Sequence, residues 1–245
     1  MKTPTEPKRH YQSADVTPAQ AGFTVTLDGR VPRTPAGGRL VLPYEALARV
    51  IAAEWGAQGE RVVIASMPTT RLAHVAIDAA TAAHDELAAR IAEFAAHDLL
   101  CYFADAPAAL VARQAATWTP IMTWAEAALG LSFRRRTGVV HVDQPPETLE
   151  AVRRLAADLD DFALTGLVAA AQLFGSAILA IALLRGRLNG AEAFLASQLD
   201  EIFQAEAWGE DVEAAERRAA MAGEAEALEV WFRALSAPDA ASSTA

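Results

Sequence analysis

The sequence contains a single cysteine, Cys101, among its 245 residues. One cysteine excludes an intramolecular disulfide framework and leaves no Cys-x-x-Cys pair for zinc or redox chemistry. Hydrophobic residues make up 53% of the chain, so we expect a core large enough to fold without cross-links. The first ten residues lack the apolar run of a secretory signal. These features predict a reducing compartment and favour a bacterial cytoplasmic protein or a chain whose leader has been removed.

The sequence also lacks the motifs that carry most enzyme chemistry. It has no glycine-rich phosphate loop, no Gly-x-Ser-x-Gly turn and no His-Glu-x-x-His pair. The nearest candidates are the doublets His84-Asp85 and His97-Asp98, together with His74. They leave open a helical metal-dependent phosphohydrolase, although adjacent residues on a helix point about 100° apart, so one doublet cannot present both ligands to one ion. Our main expectation is a protein with no catalytic residues, no metal and no cofactor.

Positive charge is scarce, since 21 Lys and Arg residues face 31 Asp and Glu residues, for a net charge of −10. Residues 200–229 hold ten of the acidic side chains against only Arg217 and Arg218. A negative field repels nucleic acid and anionic lipid, and it speeds encounter with a basic protein surface. Nucleic-acid binding is therefore disfavoured. The alternative explanation is a solvated helix face that only keeps an alanine-rich chain in solution.

Apolar and polar residues alternate over residues 23–28, which predicts a strand with one apolar and one polar face. Asp28-Gly29 follows, and glycine supplies the positive φ that a two-residue hairpin turn needs. We therefore expect antiparallel strands in this part of the chain.

Pro43 is predicted to open a helix, because the fixed φ of proline suits the first helical turn and its missing N–H is not needed there. The helix is expected to end at Gly59. Trp55 lies on its apolar stripe, so we interpret this residue as the core side chain that joins the helix to the sheet.

After residue 68 the hydrophobic spacing is that of helices, and few strand signals remain. The prediction is an α+β protein. A small, mostly β N-terminal domain of antiparallel strands and one helix covers residues 1–67, and a larger all-α domain covers residues 68–236. The end of the chain, residues 237–245, consists mainly of small and polar residues and is predicted to be disordered.

A helix is predicted between Ala108 and Leu129, with Gly130 just past its end, where glycine is common. Residues 99–103 look extended, and residues 133–142 suggest a short strand or a loop.

Residues 162–184 carry no charge, and this run is long enough to cross a membrane. Polar and small residues such as Gln172 dilute its hydrophobicity, and Gly175-Ser176 resembles a break between two helices. We therefore expect two buried helices in the helical domain and no membrane insertion.

Residues 191–208 are predicted as one amphipathic helix. Its buried half would contain Ala191, Phe194, Leu195, Leu199, Ile202 and Phe203. The other side would present Asp200, Glu201, Gln204 and Trp208. An aromatic side chain with an acidic rim is the composition expected of a protein-binding hot spot. The alternative is that Trp208 packs against the last helix of the chain.

Glu206 falls within the apolar arc of this predicted helix. A carboxylate in that direction needs a partner such as an arginine, or it marks the point where the helix frays.

Several separate segments of the chain, in order between residues 9 and 230, resemble the assembly chaperones that handle the α subunit of F-type ATP synthase. The matching segments are the strand-turn-helix block of residues 22–43, Arg9-His10-Tyr11, residues 53–60, Met67-Pro68-Thr69-Thr70, residues 98–102, Gln114 with Trp118, Pro120 and Trp124, and Leu199-Asp200-Glu201 with Gln204, Trp208 and Gly209. The chain departs from the residues common in the family at His74, Val75, His97, Phe103, Thr119 and Gln198. The family commonly has arginine at the last of these, so the change to Gln198 removes the most convenient partner for Glu206 or Glu201.

The resemblance implies a chaperone without catalytic activity that binds the unassembled α subunit and shields its exposed surface until the β subunit replaces it. The partner-binding residues would be Asp200, Glu201, Gln204, Glu206, Trp208 and Gly209, with Glu201 as the strongest single candidate. We expect a monomer that works in the bacterial cytoplasm, or in the mitochondrial matrix if a eukaryotic chain has been trimmed.

Overall fold

The computed structural model describes residues 6–209 and 211–237, which divide into two compact units. The first unit contains the chain up to residue 82 and again from residue 230, and the second contains residues 83–229. The boundary predicted at residue 67 lies inside the first unit. The predicted disordered tail lies outside the described residues except for residue 237. A small antiparallel sheet followed by a mostly helical remainder confirms the α+β fold class.

The sheet of the first unit has three antiparallel strands in the order β1-β2-β3. Their bounds are Ala14–Ala19, Gly22–Leu27 and Val41–Leu42. β1 went unpredicted, because its Pro18 cannot donate a hydrogen bond in a sheet. The strand tolerates this proline because β1 is at the edge of the sheet.

β2 has the predicted alternation of apolar and polar residues, and both of its faces are buried. Thr24 and Thr26 are as buried as Val25 between them. The Thr24 hydroxyl donates to the carbonyl oxygen of Leu40 at 2.6 Å, which satisfies its polar atom inside the unit. At the end of the strand Asp28 and Gly29 form a two-residue turn with φ values of 47° and 78°.

The first helix, α1 (Glu45–Gly56), begins later and ends earlier than predicted. Pro43 lies outside it, because Tyr44 keeps an extended backbone and occupies the N-cap position. Trp55 is buried on the inner face of α1 beside Tyr11, with ring centroids 5.9 Å apart. Glu54 accepts hydrogen bonds from the backbone N–H groups of Thr69 and Thr70 at 2.8 and 2.7 Å, and so caps the next helix.

That next helix, α2 (Pro68–Val75), continues through a π-helical turn (Ala76–Ala80) into α3 (Thr81–Ala96). A 3₁₀ turn (Ile64–Ser66) precedes α2.

Helices dominate the second unit. After α3 come a 3₁₀ turn (Leu99–Cys101), β4 (Tyr102–Phe103), α4 (Ala108–Leu129), β5 (Arg136–Thr137), α5 (Pro146–Ala157), α6 (Asp161–Phe174), α7 (Ala177–Leu184), α8 (Gly190–Ser197), α9 (Leu199–Trp208) and α10 (Val212–Ser236), whose last residues belong to the first unit. β4 and β5 pair in parallel. The segment predicted as extended from residue 99 is therefore a helical turn followed by two strand residues.

The predicted bounds of α4 are confirmed, and Gly130 ends the helix with φ of 67°. The predicted break in the chargeless run is also confirmed: Gly175 has φ of 63°, and the Ser176 side chain caps α7. Across residues 6–209 and 211–237, we find no helix with the length and apolar character needed to span a membrane.

Asp98 lies at the start of the 3₁₀ turn and is fully buried. Its carboxylate accepts from the Ser176 hydroxyl at 2.8 Å and from the backbone N–H groups of Leu100 and Ile178 at 3.0 and 2.9 Å. Burial raises the pKa of Asp98 to about 6, and these hydrogen bonds oppose the rise. This carboxylate ties the 3₁₀ turn to the beginning of α7.

Candidate functional site

The predicted helix over residues 191–208 is two helices, so that prediction is wrong. Gln198 leaves the helical conformation with φ of −100° and ψ of 14°, and it separates α8 from α9. Because of this break, the apolar faces of α8 and α9 do not continue as one stripe. Ala191 and Leu195, which were expected on the buried face, are exposed, and Leu195 has 56% of its surface accessible.

Trp208 ends α9, and 81% of its surface is exposed. The alternative in which this indole is packed away against the last helix is therefore wrong. Gln204 and Glu201 are exposed about one and two turns before it, respectively. The three side chains line a shallow groove of about 250 Å³ whose other wall includes Arg217 and Arg218 of α10.

Asp200 is held by a neighbouring helix rather than free on the surface. The buried Gln114 of α4 donates from Nε2 to the Asp200 carboxylate at 2.8 Å. The side-chain amide oxygen of Gln114, Oε1, in turn accepts from the backbone N–H of Ala104 at 2.8 Å. Asp200 is half-buried, and this arrangement fixes the first turn of α9 against α4.

Glu206 has the arginine partner that the sequence called for, although it comes from α4. Arg113 donates to both carboxylate oxygens of Glu206, at 2.6 and 3.1 Å. This hydrogen bonding lowers the pKa of Glu206 and raises the pKa of Arg113. Both side chains are largely exposed, so the bidentate geometry orients α9 more than it stabilises the fold.

Two further residues position this region. The indole N–H of the buried Trp118 donates to the carbonyl oxygen of Ala196 at 2.9 Å, near the end of α8. Gly209 follows α9 with φ of 85°, a conformation that favours glycine and turns the chain away from the helix. Arg113 was not among the predicted site residues. Its contact with Glu206 joins residues far apart in the sequence, and helical spacing does not reveal such a pair.

The histidines of the doublets have other partners. His84 hydrogen-bonds to Asp161 at 2.8 Å and to the Ala157 carbonyl oxygen at 3.1 Å, and the bond to Asp161 raises the pKa of His84. His97 stacks on His141 with ring centroids 5.0 Å apart. Within the described ranges, no three His, Cys, Asp or Glu side chains are grouped so that they could hold a metal ion. The metal-dependent phosphohydrolase is therefore not supported.

Cys101 is the last residue of the 3₁₀ turn and is buried. Burial raises the pKa of its thiol far above the usual range, which leaves it protonated and unsuited to act as a nucleophile.

Comparison with known proteins decides the family. A family model described as "ATP12 chaperone protein" matches residues 8–126. The crystal structure of Atp12 from Paracoccus denitrificans is 40% identical in sequence, with a TM-score of 0.87, over 93% of this chain and 97% of that one. The chain belongs to the ATP12 chaperone family.

Two more similar proteins match over most of the chain. The mitochondrial protein atp12 of Schizosaccharomyces pombe is 26% identical over 214 residues, which are 82% of this chain and 74% of the yeast protein. The Atu1473 protein of Agrobacterium tumefaciens is 42% identical, with a TM-score of 0.89, over 94% of this chain and 86% of its own. The resemblance behind the expectation of an ATP synthase assembly chaperone is therefore confirmed.

Proposed function

We propose that this ATP12-family protein binds the unassembled α subunit of F-type ATP synthase and covers its assembly surface until the β subunit replaces it. The observation that carries the proposal is the exposed indole of Trp208 beside the carboxylate of Glu201 and the amide of Gln204. A subunit without its neighbours exposes larger apolar patches than a soluble monomer tolerates, and covering them suppresses aggregation.

The composition of this surface suits a temporary complex. Acidic side chains attract a basic surface and raise the rate of encounter, while a buried aromatic side chain determines how long the complex lasts. We assign direct client contact to Glu201, Gln204 and Trp208. Asp200 and Glu206 belong to the same partner-binding surface and also fix α9 through α4, and Gly209 sets its end.

The protein is proposed to act without catalysis and without a cofactor, as a monomer in the bacterial cytoplasm or the mitochondrial matrix. The membership in a chaperone family and the buried, protonated thiol of Cys101 support this.

Replacing Glu201 with Lys tests the contact surface. The side chain is exposed and makes no hydrogen bond within the described chain, so the melting temperature of the variant is expected to match that of the parent. Protection of the purified α subunit from aggregation, followed by light scattering, is expected to be lost because a repulsive charge replaces an attractive one.

Glu86→Lys is the matched control, because Glu86 is exposed in the middle of α3 and undergoes the same change of charge. This control is expected to protect the client as the parent does. Equal protection by both variants would remove Glu201 from the contact surface, and equal loss in both would assign the effect to net charge alone.

A further inference from the structure

A second groove lies between α4, α8 and α9, which we call the α4–α8 groove. It encloses about 410 Å³, and its apolar walls include Pro120, Ile121, Leu188, Leu195 and Leu199, with Arg113 and Arg187 among its lining residues. This volume fits a few side chains of a bound segment rather than a whole helix face. The groove is separate from the Trp208 surface, although α9 contributes residues to both.

Leu195 gives the groove an exposed apolar wall. It is 56% exposed, although its neighbours Phe194 and Ala196 on α8 are buried. Large exposed apolar side chains that line a concave surface are typical of a binding site rather than of a solvated face.

α4 also offers the groove a hydrogen-bond acceptor. Pro120 lies inside this helix and has no N–H, so the carbonyl oxygen of Ala116 lacks the donor that an α-helix normally supplies. Both residues line the groove and are exposed. A backbone N–H of a bound segment can use this acceptor.

Some of the charged side chains that line the groove already have hydrogen-bond partners among the described residues, and one does not. Arg113 is already engaged with Glu206, and the carboxylate of Glu192 accepts from the backbone N–H of Asn189 in a capping box. Arg187 is exposed, and no described residue forms a hydrogen bond or an ion pair with its guanidinium. An unengaged cation on a chain with a net charge of −10 selects for a carboxylate.

We propose that the α4–α8 groove binds a segment of the client that carries an apolar side chain close to an Asp or a Glu. The apolar side chain lies against Leu195, and the carboxylate pairs with Arg187. The inference rests on the proposed chaperone function, and it adds a second contact with the client beside the Trp208 surface. Charges of both signs on the two sides of α9 would fix the orientation of the client.

A second copy of this chain is a poorer occupant than a client. Two copies that each carry a charge of −10 repel one another, and the groove is too small to seat a helix face.

The test measures the affinity of the purified α subunit for the full chain and its variants. Arg187→Glu and Leu195→Asp are each expected to raise the dissociation constant at least about tenfold, because the first repels the carboxylate and the second places a charge against an apolar side chain. Arg185→Glu is the matched control, since Arg185 is exposed two positions away and does not line the groove. It is expected to change the constant less than about twofold. Melting temperatures check that all three variants fold.

The outcomes separate this inference from the proposed function. If the parent chain fails to bind the α subunit, the proposed function is wrong and the inference fails with it. If the parent binds and Glu201→Lys abolishes binding, but Arg187→Glu and Leu195→Asp bind as Arg185→Glu does, only the groove assignment is wrong.

A photo-crosslinking residue in place of Leu195 identifies the occupant directly. The expected product joins this chain to an α-subunit peptide with an apolar residue near an Asp or a Glu. A crosslink to a second copy of this chain, or to a client segment without a carboxylate, would overturn the proposal.

Discussion

At the scale of single residues, two buried tryptophans show how differently one side-chain type can be used. Trp118 donates its indole N–H to Ala196, whose carbonyl lies in the last turn of α8 and has no donor within the helix. The buried indole N–H of Trp55 has no partner in the described chain. Trp55 therefore contributes by packing alone, and Trp118 contributes both packing and a hydrogen bond.

Substitutions at these two positions test the distinction. Trp55→Ala is expected to lower the free energy of unfolding by about 3 to 5 kcal/mol, because it leaves a large cavity in the first unit. Trp55→Phe keeps an aromatic ring and loses no hydrogen bond, so it is expected to cost clearly less. Trp118→Phe is expected to cost about 1 to 2 kcal/mol more than Trp55→Phe, since it also leaves the Ala196 carbonyl unpaired.

Urea denaturation of the purified variants measures these differences. A Trp55→Ala variant as stable as the parent would show that this ring does not join α1 to the sheet. Equal losses for the two Phe variants would show that the Trp118 hydrogen bond adds nothing.

At the scale of elements, two of the helix ends predicted from a glycine are confirmed, although α1 ends before the predicted Gly59. Gly130 and Gly175 adopt positive φ just past α4 and α6, and both ends were predicted from the glycines. The break at Gln198 carries no glycine or proline, so spacing alone extended one helix across it. The partners of Asp200 and Glu206 come from α4, far away in sequence, and no periodicity reveals them.

Asp98 shows how one side chain can define the ends of two elements. Asp98→Asn is expected to lower the free energy of unfolding by about 2 to 4 kcal/mol, because an amide nitrogen would face donors that now bind a buried carboxylate. Asp160→Asn is the control. Asp160 caps α6 at an exposed position, where asparagine caps a helix nearly as well as aspartate, so the expected change is below about 1 kcal/mol.

Chemical denaturation of the two Asn variants provides the comparison. Similar stability for both would mean that the Asp98 contacts do not hold the 3₁₀ turn to α7.

At the scale of the whole molecule, the excess of acidic residues affects every encounter with another protein. Most of the net charge of −10 comes from the C-terminal third, where α9 and α10 lie. Glu201 lines the groove beside Trp208 together with Arg217 and Arg218, and Arg187 lines the α4–α8 groove. If the proposed function holds, the general field speeds the encounter with a basic surface of the client, and the local charges then orient it.

Electrostatic steering predicts that the association rate constant depends on the salt concentration. Raising the NaCl concentration from about 0.05 to 0.5 M is expected to lower the association rate constant with the α subunit about tenfold, because mobile ions screen the long-range attraction. The dissociation rate constant is expected to change much less, since packing of Trp208 and Leu195 sets it. Stopped-flow mixing measures the first rate and dilution of the complex measures the second. An association rate that does not respond to salt would rule out electrostatic steering.

The contacts of Arg113 and Gln114 determine how rigidly α9 is held against α4. These consecutive residues of α4 donate hydrogen bonds to Glu206 and Asp200, which are separated by about 9 Å along the axis of α9. Two fixed points along a rod remove both its tilt and its rotation, whereas one point would leave it free to swivel. The backbone that carries Trp208 is thus held in place by α4, so the proposed docking of a client would cost little ordering of this helix.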